Sequence, residues 1–204
     1  IMSKRPAAID DRRKICENAR QFPSNRFIFS KPMWSPLARL FRPSKAELQA
    51  SQLYITLAAQ SRKAFFYETL HVPDTLDGRH ELLLLHLFMI LHRLQKDEPA
   101  AKHEDFIRYL SETHFSNMDM SLREMGIGDM GVGRRVQRMA EAFYGRVKAY
   151  ETSLAEPEAF TDSIIRNIYG TVTPQRSWAE NLASYVQSTL VYLDSIPADQ
   201  VVAG

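Results

Sequence analysis

Gly126, Gly128 and Gly131 spell GxGxxG, the spacing with which a dinucleotide-binding turn brings backbone amides up to a pyrophosphate. That chemistry needs a strand before the first glycine and a parallel sheet around it, so that the phosphate lands on a helix N-terminus. The preceding SLREM reads as helix. The triplet is therefore expected to be a turn between two helices that binds no dinucleotide, with Asp129 or a neighbour capping a helix that starts near Val132. Arg134, Arg135 and Arg138 fall in the first turns of that helix, where cations oppose the macrodipole. Two readings are open: Glu124, Asp129 and Glu141 neutralise them within the chain, or an external anion or RNA docks there.

Metal and nucleophile chemistry have less support. The histidines are His71, His80, His86, His92, His103 and His114, and no two are three or four apart. The lone Glu-x-x-His, Glu68 to His71, cannot build a carboxylate-bridged dimetal bundle, which needs two such motifs. His86 and His92 are six apart and point in different directions on one helix, so they are expected to be core or boundary residues with satisfied ring nitrogens. No GxSxG or HExxH occurs, and Cys16, the single cysteine, has no nucleophile signature around it. Asp74, Asp77 and Arg79 in PDTLDGR are better explained as a helix-capping turn with an ion pair than as acid/base equipment. No catalytic residue, metal site or cofactor is assigned.

The 204 residues are 45% hydrophobic and 25% charged, which excludes collagen-like, low-complexity and disordered classes. A net charge of +2 hides an asymmetry: residues 1–50 carry 11 Lys+Arg against 4 Asp+Glu, residues 51–204 carry 15 against 20. A basic arm precedes a mildly acidic body. Such an arm seeks phosphate, whereas the body is unsuited to wrapping DNA. Ile1 to Arg20 lacks the apolar run of a signal peptide, and Asp10, Asp11 and Glu17 interrupt what would be a transit peptide. The most apolar run, LLLLHLFMILHRL from Leu82 to Leu94, is too short for the roughly 20 residues of a membrane span and reads as a buried helix.

The elements around these residues all carry helical spacing. Ser44 with Glu47 forms a capping box, and Ala46, Ala50, Leu53, Leu57 and Ala64 continue a stripe that Val72-Pro73 ends. After a turn over Asp74–Gly78, with Asp74, Thr75 and Asp77 as cap candidates, the apolar helix runs to about Lys96. A helix over about 100–115 and a short one around 118–125 come next. Val132, Val136, Met139, Phe143, Val147, Tyr150 and Leu154 make the cleanest stripe. Helices over about 158–169 and 174–194 follow, the latter with Trp178, Leu182, Tyr185, Thr189 and Tyr192 on one face. No strand pattern or repeat is present. The expected fold is an all-α bundle of six or seven helices over residues 44–196, between a basic extension (1–43) and a tail (197–204).

VPDTLDGR (72–79), the apolar helix after it, FSNMDMSLREMGIGDMGVGRRVQRMAEAFYGRVKAY (115–150) and IIRNIYG (164–170) resemble the ubiquinol-cytochrome c chaperone family. The resemblance covers about residues 44–170. It implies a non-enzymatic, all-helical assembly factor for the cytochrome bc complex. Mitochondrial members bind newly made cytochrome b near the ribosomal exit, so the implied partners are cytochrome b as client, the ribosome exit region and a small partner protein. Two departures touch the PDTLDGR turn: His71 stands where glycine is expected, His80 where an aromatic residue is usual. Bacterial relatives commonly begin near MWSPLARLFR, which leaves residues 1–32 as an upstream extension or the result of a mis-set start.

The resemblance places candidate partner contacts at Asp74, Asp77, Arg79, Asp119, Arg123, Glu124, Arg134, Arg135, Arg138 and Tyr144; the alternative is that these segments only fix helix packing. Trp34, Leu37, Arg39, Phe41 and Arg42 are candidate membrane contacts on a short basic amphipathic stretch, with packing on the bundle as the other reading. The expected location is the cytoplasm, peripheral to the inner face of a bacterial inner membrane. A haem- or small-molecule-binding bundle is the competing function.

Overall fold

Ser44 starts the first helix as the sequence requires, its Oγ accepting from the Glu47 amide at 3.1 Å. The computed structural model describes residues 43–96, 100–126 and 129–203. These form α1 (Lys45–Ser61), α2 (Ala64–Glu68), α3 (Leu76–Gln95), a 3-10 turn (Ala100–His103), α4 (Glu104–Glu124), α5 (Asp129–Ser153), α6 (Pro157–Ile168), α7 (Arg176–Ser195) and α8 (Ala198–Ala203), with no strand among the described residues. The all-α expectation holds, with six helices of 12 residues or more among those described. The candidate membrane contacts Trp34, Leu37, Arg39, Phe41 and Arg42 lie outside the described residues.

The apolar helix α3 is the axis of the bundle. Fifteen of its residues are buried, including all from Glu81 to Leu94, because α1, α5, α6, α7 and α8 pack around it. A helix apolar on every side can only be stable in such a position. Thr75 caps its start, accepting from the Gly78 amide at 3.1 Å, and a Cβ at Gly78 would collide with the Pro73 carbonyl. α7 runs alongside α3 in the same direction: His86 meets Tyr185, and Arg93 donates from Nε to the Leu193 carbonyl (2.8 Å) and from an Nη to the Ile196 carbonyl (2.9 Å). Arg93 thereby satisfies the C-terminal carbonyls of α7 from inside the core. No helix of the described residues is long and apolar enough to cross a membrane.

Three local expectations change. The first stripe breaks after Ser61: Arg62 leaves helical geometry, Lys63 is extended, and Ala64 is exposed. The break turns Phe66 inward, 1% exposed, edge-on to His86 and Tyr185. The expected pair of helices over 100–125 is instead one α-helix after a 3-10 turn. Ser116 and Asn117 do not interrupt it, because the Asn117 amide bonds back to the Thr113 carbonyl at 2.8 Å and Leu122 is buried one turn on. On α7 the buried face is Ala179, Leu182, Ala183, Val186, Leu190 and Leu193, so Tyr192 of the expected stripe is 64% exposed. Helical structure continues past Ile196, where α8 buries Ala198 and Val201.

Candidate partner-binding site

The charged turn before α3 and the α4–α5 hairpin present the expected contact residues to solvent. Asp74 and Arg79 form an exposed ion pair at 2.5 Å, which holds the Asp74 carboxyl below its ordinary value, and Arg79 also lies 5.9 Å over the Tyr67 ring. Asp77 is exposed in the first turn of α3. This is the capping turn with an ion pair that the spacing predicts, with Thr75 as the cap. His71 adopts φ 53, the left-handed region where glycine is at ease, which gives the physical reason for expecting glycine there. Its ring packs 4.4 Å from Trp178.

On the hairpin, Gly126 has φ 82 and its amide bonds to the Arg123 carbonyl at 2.9 Å, ending α4 in a left-handed cap. The segment before it is the end of α4 with Met125 as its C-cap, so the glycine triplet lacks the strand that pyrophosphate binding needs. Arg123 pairs with Asp119 one turn back at 2.7 Å. Glu124, Arg134, Arg135 and Arg138 are exposed. Of the carboxylates the sequence offers to neutralise them, Glu141 accepts from the Gln137 side-chain amide at 3.1 Å, the Asp129 side chain lies outside the described ones, and among the described side chains no ion pair reaches the three arginines. Tyr144 is half-buried against Phe115 and Phe143, and burial raises its phenol. It helps close the hairpin and is the least available of the candidates.

Between these two surfaces lies a contact that periodicity did not single out. His80, directly after Arg79, stacks on His114 of α4 with ring centroids 5.6 Å apart, and His114 also touches Phe143 of α5. His80 Nε2 and His114 Nδ1 are buried without a partner among the described residues. Burial depresses both imidazoles, His114 to about 3. Next to it, Glu81 pairs with Arg146 of α5, and desolvation outruns that pair to raise the Glu81 carboxyl. At 1.5 Å per residue, Asp119 and Arg123 stand about 8 and 14 Å further along α4 than His114. The two charged surfaces thus flank one buried contact.

His86 and His92 are core residues, as expected. His86 uses both nitrogens, on the Leu82 carbonyl (2.7 Å) and the Tyr185 hydroxyl (2.9 Å); His92 Nδ1 meets Glu151 at 2.8 Å. No group of three or more metal-ligating side chains converges among the described residues.

The fold is thus a helical bundle whose interior charges tie helix to helix, with most of the candidate contact charges on its surface. The family model for the ubiquinol-cytochrome C chaperone matches residues 68–204. The chain belongs to the ubiquinol-cytochrome c chaperone family. It is 22% identical over 158 residues to the ubiquinol-cytochrome-c reductase complex assembly factor 1 of Xenopus laevis, covering 77% of this chain and 78% of that protein. It is 20% identical to the Mus musculus protein of the same name over 77% of this chain, but spans only about half of that longer relative (53%). A crystal structure of the Cbp3 homolog from Brucella abortus superimposes with a TM-score of 0.68 at 35% identity, covering 82% of this chain and 93% of that one.

Proposed function

We propose that this protein is a non-enzymatic chaperone that holds newly made cytochrome b and promotes assembly of ubiquinol-cytochrome c reductase. Family membership and the names of the relatives support the assembly role. The observation that carries the client-binding reading is the α4–α5 hairpin, where exposed Met120 and Met125 lie in the same segment as the exposed Arg134, Arg135 and Arg138. Adaptable thioether surface beside fixed positive charge suits a membrane-protein segment with polar flanks. The Asp74–Arg79 turn and the Asp119–Arg123 pair are further contacts in this reading. Peripheral attachment to the inner face of a bacterial inner membrane, through the stretch containing Trp34, Leu37, Arg39, Phe41 and Arg42, would bring the chaperone to its client; the ribosome exit region and a small partner protein complete the proposed surroundings.

The haem-binding alternative has one observation in its favour, the unpartnered nitrogens of His80 and His114. Their planes are inclined by only 13° at 5.6 Å, a ring-on-ring stack that leaves no room for a macrocycle between them. Affinity purification of the tagged chain from its native cells tests both readings. Cytochrome b is expected in the eluate, in a form without a Soret band contributed by the chaperone itself. Recovery of other reductase subunits without cytochrome b would overturn the client assignment.

A further inference from the structure

We propose that the outward face of α5, headed by Arg134, Arg135 and Arg138, docks an acidic helical segment of a partner protein. The inference rests on the chaperone reading only in assuming that a protein partner exists. Arg134 and Arg138 are one turn apart and Arg135 and Arg138 three residues apart, so the three guanidinium groups share one exposed patch. Arg138 lies back along the helix, its Nε donating to the Arg134 carbonyl at 3.4 Å. Like charges at this spacing repel, and their position near the start of a 25-residue helix adds an unfavourable dipole. Among the described side chains no ion pair reaches the three arginines, and Glu141, one turn on, accepts from the Gln137 side-chain amide at 3.1 Å.

Guanidinium forks match carboxylates two at a time, and a helix with acidic residues at i and i+3 or i+4 offers them at the same 5–6 Å spacing. Past Arg138 the same face carries exposed Glu141 and then two small residues, Ala142 and Gly145, also exposed; a Cβ at Gly145 would meet nothing within 4 Å. These small side chains let a partner backbone lie close. The surroundings select against other anions. Residues 51–204 carry five more acidic than basic side chains, so a nucleic-acid backbone running well beyond the patch meets like charge, whereas a short helix can confine a few carboxylates to the arginines. A lipid plane is wide, and Asp119, Glu124 and Glu141 lie on the same hairpin.

The test uses the full chain and three labelled probes: a synthetic helix of about 20 residues with Glu at i, i+4 and i+7 on one face, the same helix with Gln there, and the same helix with Lys. At low salt the Glu helix should bind about tenfold more tightly than the Gln helix. In R134E/R135E/R138E that preference should vanish and the Lys helix should bind best. These side chains are exposed, so the variant should keep its helical circular dichroism and melt no lower than the parent. Equal binding of Glu and Gln helices, or an unchanged preference in the variant, would overturn the proposal. So would tighter, arginine-dependent binding to a 20-nucleotide RNA or to phosphatidylglycerol vesicles than to the Glu helix. Cytochrome bc content measured in cells carrying the variant reports on the chaperone reading separately: a normal content alongside lost peptide preference leaves the acidic docking in place and removes it from reductase assembly.

Discussion

His80 and His114 face each other across the junction of α3 and α4, rings 5.6 Å apart and nearly parallel, with one nitrogen of each buried and without a partner among the described residues. The groups around them are Tyr54, Phe115 and Phe143, with Arg146 and Asp77 acting on His80 through charge. Burial favours the neutral imidazoles, and Arg146 reinforces this at His80.

Acid should therefore weaken the fold before its carboxylates titrate. His80, His86 and His114 all have native pKa values below the ordinary 6.5, His86 at about 4 and His114 at about 3. The unfolded chain binds more protons, so stability is fully present above pH 6.5 and is lost as pH falls toward 4. Glu81, shifted upward, has the opposite sign but is one group against three. Thermal melts from pH 7.5 to 4.5 should show a decline on the order of a few kcal/mol in all, and H80F/H114L should flatten it. A pH-independent midpoint over that range would contradict the buried neutral state.

Removing one partner of the Glu81–Arg146 pair should cost more than removing both. Glu81 is buried and Arg146 mostly so, which leaves R146M with a desolvated carboxylate; about 2–4 kcal/mol is expected. E81Q/R146M should recover part of that loss. Denaturant titration of R146M, E81Q and the double variant gives the coupling energy directly.

Gly78→Ala should destabilise by about 1–3 kcal/mol, because the added methyl collides with the Pro73 carbonyl and must move backbone at the start of α3. Thr75→Ala, which only removes the cap, should cost about 1 kcal/mol. If G78A melts like the parent, the tight turn is not what holds PDTLDGR in place.

Arg79→Ala and Arg123→Ala should lower cytochrome bc assembly while leaving the thermal midpoint nearly unchanged. Both ion pairs are on the surface, where such pairs contribute little. Assembly that falls only in step with stability would mean that these segments fix helix packing and nothing more.

The stretch around Trp34 should tether the chain weakly to anionic membranes. Flotation with phosphatidylglycerol vesicles is expected for the intact chain and not for one beginning at Ser44, and it should fade with salt. Equal behaviour of the two chains would leave the client alone to bring the chaperone to the bilayer.

The helical class, the central place of Leu82–Leu94 and the caps at Ser44 and Thr75 follow from the sequence because each depends on neighbours within a turn or two. A run apolar on all sides can only be an axis, and a hydroxyl three residues before an orphan amide can cap it wherever the helix goes. The family resemblance was legible for a related reason: the LREMGIGDMGVG turn is contiguous. What periodicity does not set is azimuth, since one residue is 100° of rotation, and so Tyr192 faces solvent while Leu190 and Leu193 face the core. Nor does it reveal which helices become neighbours. The break after Ser61, the unbroken α4, the seating of Arg93 on the end of α7, and the meeting of His80 with His114 and Glu81 with Arg146 were decided by packing. A polar residue inside an apolar stripe looks like an interruption until the partner from another helix arrives, and that partner is 34 residues away for His80 and 65 for Glu81.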